Sequence, residues 1–393
     1  MRSAVRFTLP PELEATAPPE ARGLRRDHVR LLLVHRSAGS VEHHRFHELP
    51  WLLEPGDLLV VNDSRTLPAS LLGRTAAGTP LEIRLAARDF AGPAGGPDGT
   101  GDGARWAALP LGVPLDGRDP ALVPTDARPA APPLEAGERL VFAGGLTATV
   151  LGHHQEAAPL VWMVFDAGGE RLAEALHRAG RPVRYAYVPR PWPLHHYQTL
   201  FAAGPGSAEM ASAGRPFTLQ TLRDLRDRGI GLATISLHAG LSTYGDPATD
   251  LRFVPAEQYL VPEATAAAVA GCRASGGRVV AVGTTVVRAL ETAATGGAMR
   301  AGAGVTRLRI GAGHRLLAVD GLLTGLHEPE ASHLDLLAAF IDRAGLDRAY
   351  ASALHEGYLW HEFGDVCLLL PDRTRLAADD CLGSCAKLPA LPA

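Results

Sequence analysis

The chain has few cysteines and almost no lysine. Four cysteines in 393 residues exclude a disulfide-built scaffold, and Cys272 and Cys367 stand in apolar segments as small core residues do. Cys381 and Cys385 lie four residues apart with no second pair or nearby histidine, too sparse a pattern for a metal site, so 379–393 reads as a mobile tail. Lys387 is the single lysine, and the net charge is −4. A general nucleic-acid binder carries a basic excess, so any RNA contact here must come from a local patch. Arg22, Arg25, Arg26 and Arg30 are candidates for it, as are Arg181, Arg184 and Arg190. No run of eighteen apolar residues appears, so no membrane span is expected. The first residues run into Pro10-Pro11 without the apolar core of a signal peptide, and the expected location is the cytoplasm.

What is present is an ordinary globular composition, 46% apolar and 20% charged, in a chain long enough for two cores. Residues 88–104 and 120–133 are rich in Gly, Pro and Ala and read as flexible segments. Short strand-like runs surround them: Leu81 to Leu85, Arg105 to Leu109, Leu140 to Phe142, Leu146 to Leu151 and Leu160 to Phe165. Beyond Gly168 helical and strand periods alternate. Helices are expected at Leu219–Arg228, Pro262–Ser275, Thr285–Ala294, Ser332–Ala344 and Asp347–His355, and strands at Gly231–Leu237, Arg278–Val282 and around Leu308 and Val319. The predicted fold is therefore a main α/β domain, 1–66 with 168–378, into which a small antiparallel β-barrel-like domain, 67–167, is inserted.

Two stretches carry polar groups to the end of a buried strand. Leu58 to Val61 is an apolar run that opens into Asn62-Asp63-Ser64-Arg65, a turn able to hold a ligand or to lock a corner. Val279 to Val282 breaks at Gly283, and Thr284 or Thr285 is expected to cap a helix whose free amides favour an anion. Thr284, Arg288 and Glu291 would then share one helical face. Strand-to-helix junctions at a sheet's carboxyl edge are where open α/β proteins bind ligands.

With these stretches, Arg26 to Leu32, Tyr197-Gln198-Thr199 followed by Gly206-Ser207, Ser236 to Gly240 and Val319 to Pro329 complete a pattern spread over nearly the whole chain. In that pattern the chain resembles the S-adenosylmethionine:tRNA ribosyltransferase-isomerases of queuosine biosynthesis, as a divergent member. The resemblance implies an α/β domain with an inserted β domain. It also implies transfer and isomerisation of the ribosyl group of S-adenosylmethionine onto the 7-aminomethyl-7-deazaguanine base of tRNA, giving epoxyqueuosine and releasing adenine and methionine. S-adenosylmethionine is then a co-substrate, with no prosthetic group or metal, and tRNA is the partner to which the local arginine patch expected from the charge would apply. No Gly-x-Gly-x-x-Gly supports the common methyltransferase mode.

The sulfonium acidifies the C5′ protons, so a base is needed near that carbon and a donor near the departing adenine. His238, His327 and Asp320 are the catalytic candidates. Asn62, Asp63, Arg65, Tyr197, Gly283, Thr284, Thr285, Arg288, Glu291 and Asp365 are the substrate-binding candidates. The chain departs from the family at Pro216, Gln258 and Val261, where histidines are usual, and at Leu359, where an arginine is usual; His333 or His361 are possible replacements for the lost histidines. Two alternatives stay open: the same donor with a small-molecule acceptor, or a nucleoside- or RNA-binding protein without turnover.

Overall fold

The computed structural model describes residues 6–36, 39–88, 105–114, 116–120, 123, 127–329 and 331–371. Most of the segment expected to be flexible at 88–104, part of that at 120–133, and the tail with Cys381 and Cys385 lie outside the described residues.

In chain order the first strands are β1 (Arg30–His35), β2 (Val41–Arg45), β3 (Leu58–Asn62) and β4 (Arg65–Thr66). Next come β5 (Ser70–Thr75), β6 (Pro80–Arg88), β7 (Arg105–Gly112), β8 (Arg139–Phe142), β9 (Thr147–His153) and β10 (Val161–Phe165). After these follow β11 (Gly180–Arg181), β12 (Pro205–Ser207), β13 (Gly231–Leu237), β14 (Glu257–Val261), β15 (Val279–Val282), β16 (Gly302–Thr306), β17 (Gly321–Gly325) and β18 (Val366–Leu370).

Nine of them form one sheet in the order β16-β14-β13-β3-β15-β17-β18-β1-β2. At its centre β13, β3, β15 and β17 run parallel, so their carboxyl ends share one edge. Every residue of β3, β15 and β18 is buried, as expected of strands covered on both faces. Burying each Leu or Val there contributes roughly 1.5–3 kcal/mol. At the opposite edge Asp57 accepts from the Arg278 backbone amide at 3.0 Å and grips its guanidinium, which ties the starts of β3 and β15.

The second sheet closes on itself as β5-β6-β7-β10-β9-β8, with β8 pairing back to β5 and short β11 added beside β5. The chain enters this six-stranded barrel straight after β3, through β4, which pairs with β12. The backbone of Gly240, just past β13, approaches Ala86 of β6 so closely that a β-carbon would lie 2.4 Å from its carbonyl oxygen. The barrel therefore stands on the carboxyl edge of the parallel strands.

The structure corrects three local expectations. No strand forms around Leu308; β16 ends at Thr306, and Leu308 instead gives its carbonyl to Arg288. The segment expected as one helix from Ser332 to Ala344 ends at Leu337, and a second helix, Arg343–His355, starts where the Asp342 carboxylate accepts from the Gly345 amide at 2.7 Å. The cap of helix Thr284–Ala293 is neither threonine but Gly283, whose φ of 100° is accessible to glycine and strained for other residues.

Candidate functional site

Four strand ends meet at the carboxyl edge. At the end of β3, the Asn62 carboxamide accepts from the amides of Ser64 and Leu237, both at 3.0 Å, and donates to the Leu237 carbonyl at 2.9 Å. Its groups are spent on stapling β3 to β13, so Asn62, expected to bind substrate, acts as a positioning residue. Asp63 accepts from Ser236 Oγ at 2.5 Å. Arg65 is exposed.

His238 follows β13. Its Nδ1 lies 2.8 Å from Ser64 Oγ, which lies 2.7 Å from Ser207 Oγ. Ser207 Oγ accepts from the Ala239 amide and points to the Leu237 carbonyl. A Ser207 hydroxyl directed at that carbonyl and a Ser64 hydroxyl directed at Ser207 would place the proton on Nδ1 and leave Nε2 as the basic atom. Burial and the nearby Arg88 lower the His238 pKa, with Asp63 opposing them, so the ring is neutral at pH 7. Gly206 makes the approach possible: a β-carbon there would sit 2.2 Å from Nδ1.

At the end of β15, Thr284 and Thr285 precede the first helical hydrogen bond, from Val286 N to Gly283 O, so their amides have no partner within the helix. Arg288, one turn on, is turned sideways. It pairs with Glu257 and donates to the Leu308 carbonyl at 3.0 Å. Glu257 in turn accepts from the Gly240 amide at 3.2 Å, so the pair steadies the loop after His238.

Past β17, His327 Nε2 lies 2.8 Å from Thr324 Oγ1, and its ring stacks on His333 with centroids 4.5 Å apart. Burial, then His333 and His361, push His327 well below the ordinary imidazole range. Burial and Arg288 lower His333 to about 4. Both rings are neutral at pH 7.

A further cluster, not among the sequence candidates apart from His361, closes the rim. Tyr187 lies flat on His361, centroids 3.6 Å apart and planes at 5°, and donates to Glu362 Oε2 at 2.6 Å. Tyr185 donates to Glu209, which also accepts from the Ser242 amide. Burial raises Glu362 to about 7, against the lowering effect of the Tyr187 hydrogen bond, and raises Glu209 as well. Glu209 adds to the rise at Glu362, and His361 acts on His327, so the groups form one electrostatically connected rim. Tyr185 and Tyr187 meet across a turn closed by the Val188 amide on the Tyr185 carbonyl at 3.1 Å, with ring centroids 5.9 Å apart. Neither this turn nor the two carboxylates carried a signal in the sequence.

Four candidates do not join the rim. Asp320 precedes β17, at the edge opposite the histidines, where its Oδ2 accepts from the Val279 amide at 2.9 Å. Glu291 is 1% exposed and accepts from the amides of Leu317, Ala318 and Val319 and from His314. Asp365 accepts from the amides of Arg30 and Leu359, each at 2.7 Å. These three carboxylates lock the fold. Tyr197 is buried against Phe363, with centroids 5.0 Å apart, and belongs to a separate cavity. Among the described residues no group of three or more His, Cys, Asp or Glu is arranged for a metal ion.

Residues 2–369 match the family described as queuosine biosynthesis protein. The chain belongs to this family. It is 39% identical to the S-adenosylmethionine:tRNA ribosyltransferase-isomerase of an Anaeromyxobacter strain, over 92% of this chain and 97% of that one. It is 37% identical to the protein of the same name from Moorella thermoacetica, over 93% and 98%. Among solved structures, that of S-adenosylmethionine tRNA ribosyltransferase from Thermotoga maritima is similar, with 29% identity, a TM-score of 0.49 and coverage of 93% of this chain and 99% of that one.

The structure places three of the positions at which the resemblance implies another residue. Val261 is fully buried in the main core, where an imidazole would need a partner. The Gln258 carbonyl receives the His238 amide at 3.0 Å, a backbone contact any residue supplies. Leu359 packs beside Tyr187 and Phe363. Of the arginines considered for RNA, Arg25 pairs with Asp27, Arg26 with Glu20 and Arg30 with Glu356. Arg22 donates to the Phe363 carbonyl. No helix among the described residues is long and apolar enough to cross a membrane.

Proposed function

We propose that this protein transfers and isomerises the ribosyl group of S-adenosylmethionine onto the 7-aminomethyl-7-deazaguanine base of tRNA, yielding epoxyqueuosine, adenine and methionine. The observation that carries this reading is the family match over residues 2–369, together with the relatives' name. The rim geometry supports it, because the reaction needs proton transfer at two places and the edge gathers neutral imidazoles with carboxyls raised toward neutrality.

His238 is the base at C5′, with its neutral Nε2 free to take the proton the sulfonium acidifies. Glu362, raised to about 7, holds a proton in a large share of molecules at neutral pH and delivers it to the departing adenine. His327 remains neutral and hydrogen-bonds the adenine as it leaves. The amides of Thr284 and Thr285 receive the methionine carboxylate or a ribose oxygen at the start of their helix. Asp63, Arg65 and Arg288 stay at the edge of this site as orienting groups.

The test is adenine formation from S-adenosylmethionine by purified protein, with and without tRNA carrying the 7-aminomethyl-7-deazaguanine base. Release that requires this tRNA supports the reading, and the absence of release with it contradicts the reading. A second acceptor, a small molecule, is favoured only by the departures at Pro216, Gln258, Val261 and Leu359, and it would appear as adenine release when a small-molecule amine acceptor replaces the tRNA.

A further inference from the structure

Where the barrel meets the main domain, the described residues line a half-open cavity of about 400 Å³, the size of a small-molecule site. Arg84, Arg128, Arg181 and Arg184 line it, and Glu82 is the one carboxylate among the described lining residues. Arg84 and Arg128 both grip Glu82, which lowers that carboxyl to about 2. Arg184 is 8% exposed, and its guanidinium is held below the ordinary range by burial and by facing Arg128 and Arg84. Arg181 pairs with Asp119 at 3.1 Å, which leaves Arg84, Arg128 and Arg184 facing the single carboxylate of Glu82 on the described wall.

Among the described residues two neutral donors on the same wall have no acceptor. Tyr197 Oη, on a residue 3% exposed, and Trp192 Nε1 are buried without a hydrogen-bond partner. Leaving such a donor unpaired costs about 1–3 kcal/mol, so its retention calls for an explanation. An anionic ligand rich in acceptor oxygens satisfies both donors and offsets the crowded guanidinium charge. The indole of Trp192 and the flanking prolines Pro191 and Pro193 offer an apolar surface beside them.

We infer that this cavity binds a nucleotide, with its phosphate among Arg84, Arg128 and Arg184 and its base against Trp192. The same chemistry is presented by a free mononucleotide and by one residue of an RNA chain. The RNA source rests on the tRNA reading above, but the nucleotide chemistry does not. Arg84 also lies 5.8 Å over the Tyr185 ring, so the cavity shares a wall with the carboxylate rim.

Titration of the purified protein with guanosine 5′-monophosphate, guanosine and a short single-stranded oligoribonucleotide, followed by tryptophan emission, tests the inference. The monophosphate should give a saturable change that Trp192→Phe abolishes, and guanosine should bind at least about tenfold more weakly. Arg184→Gln should weaken the monophosphate about tenfold or more, and Tyr197→Phe, which keeps the shape of the side chain, about fivefold. An oligonucleotide bound more tightly than the monophosphate, with a steep salt dependence, identifies RNA as the source; equal or weaker binding identifies a free nucleotide. An emission change that persists in Trp192→Phe, guanosine binding as tightly as its phosphate, or unchanged affinity in Tyr197→Phe overturns the inference. The titration uses neither S-adenosylmethionine nor turnover, so its failure and a failure of ribosyl transfer are distinguishable.

Discussion

The Tyr187 hydroxyl donates to Glu362 Oε2 at 2.6 Å, with its ring flat against His361. Burial raises the carboxyl of Glu362, the group assigned as proton donor, and this hydrogen bond opposes the rise. Glu362 titrates near 7, so the protonated form is lost as pH rises through that value, while His238 loses its basic form only at pH below the ordinary imidazole range. The dependence of kcat on pH should fall on the alkaline side near pH 7. Glu362→Gln should lower kcat about 10²- to 10⁴-fold. The Tyr187 hydrogen bond lowers the Glu362 pKa, so Tyr187→Phe should move the alkaline limb to higher pH; a limb that stays in place in both variants removes Glu362 from the reaction.

Gly206 leaves no room for a side chain beneath His238. Gly206→Ala should displace the imidazole and lower kcat about 100-fold, since misplacement by an ångström costs that much. Affinity for S-adenosylmethionine, measured by calorimetry, and the circular dichroism spectrum should be preserved. Full activity in this variant contradicts the placement of the base.

His327→Ala should abolish adenine release while S-adenosylmethionine still binds. Equilibrium binding and adenine chromatography on the same preparation decide this. Release at the wild-type rate removes His327 from the catalytic set.

Glu291 makes the opposite prediction. Its carboxylate gathers three backbone amides and His314 in a buried site, so Glu291→Gln should lower the unfolding free energy by about 1.5–3 kcal/mol in urea titrations. The Michaelis constant for S-adenosylmethionine should not change in the folded fraction. A raised Michaelis constant with unaltered stability would restore Glu291 to the binding set.

How far the sequence could be read follows from which signals are local. The buried run Leu58–Val61 and the break at Gly283 were visible because strand hydrophobicity and glycine punctuation are written in neighbouring residues, and both segments sit at the carboxyl edge as expected. The closed barrel was visible as short alternating runs, although its closure through β5 and β8 depends on a pairing some seventy residues apart. Asp320, Glu291 and Asp365 were misread because a carboxylate that ties backbone amides looks, in sequence, like one that awaits a ligand. Glu362 and Glu209 were missed for the converse reason. Burial in the folded rim raises them, against the lowering hydrogen bonds of tyrosines that lie 175 and 24 residues away in the chain. Ser64 and Ser207, which hold His238 through its Nδ1, come from distant segments and meet only in the fold.

The most direct test of the central claim is nucleoside mass analysis of tRNA bearing the 7-aminomethyl-7-deazaguanine base after incubation with the protein and S-adenosylmethionine. The base should be converted to epoxyqueuosine, with one adenine released for each base converted. An unmodified tRNA nucleoside in the presence of folded, S-adenosylmethionine-bound protein would contradict it.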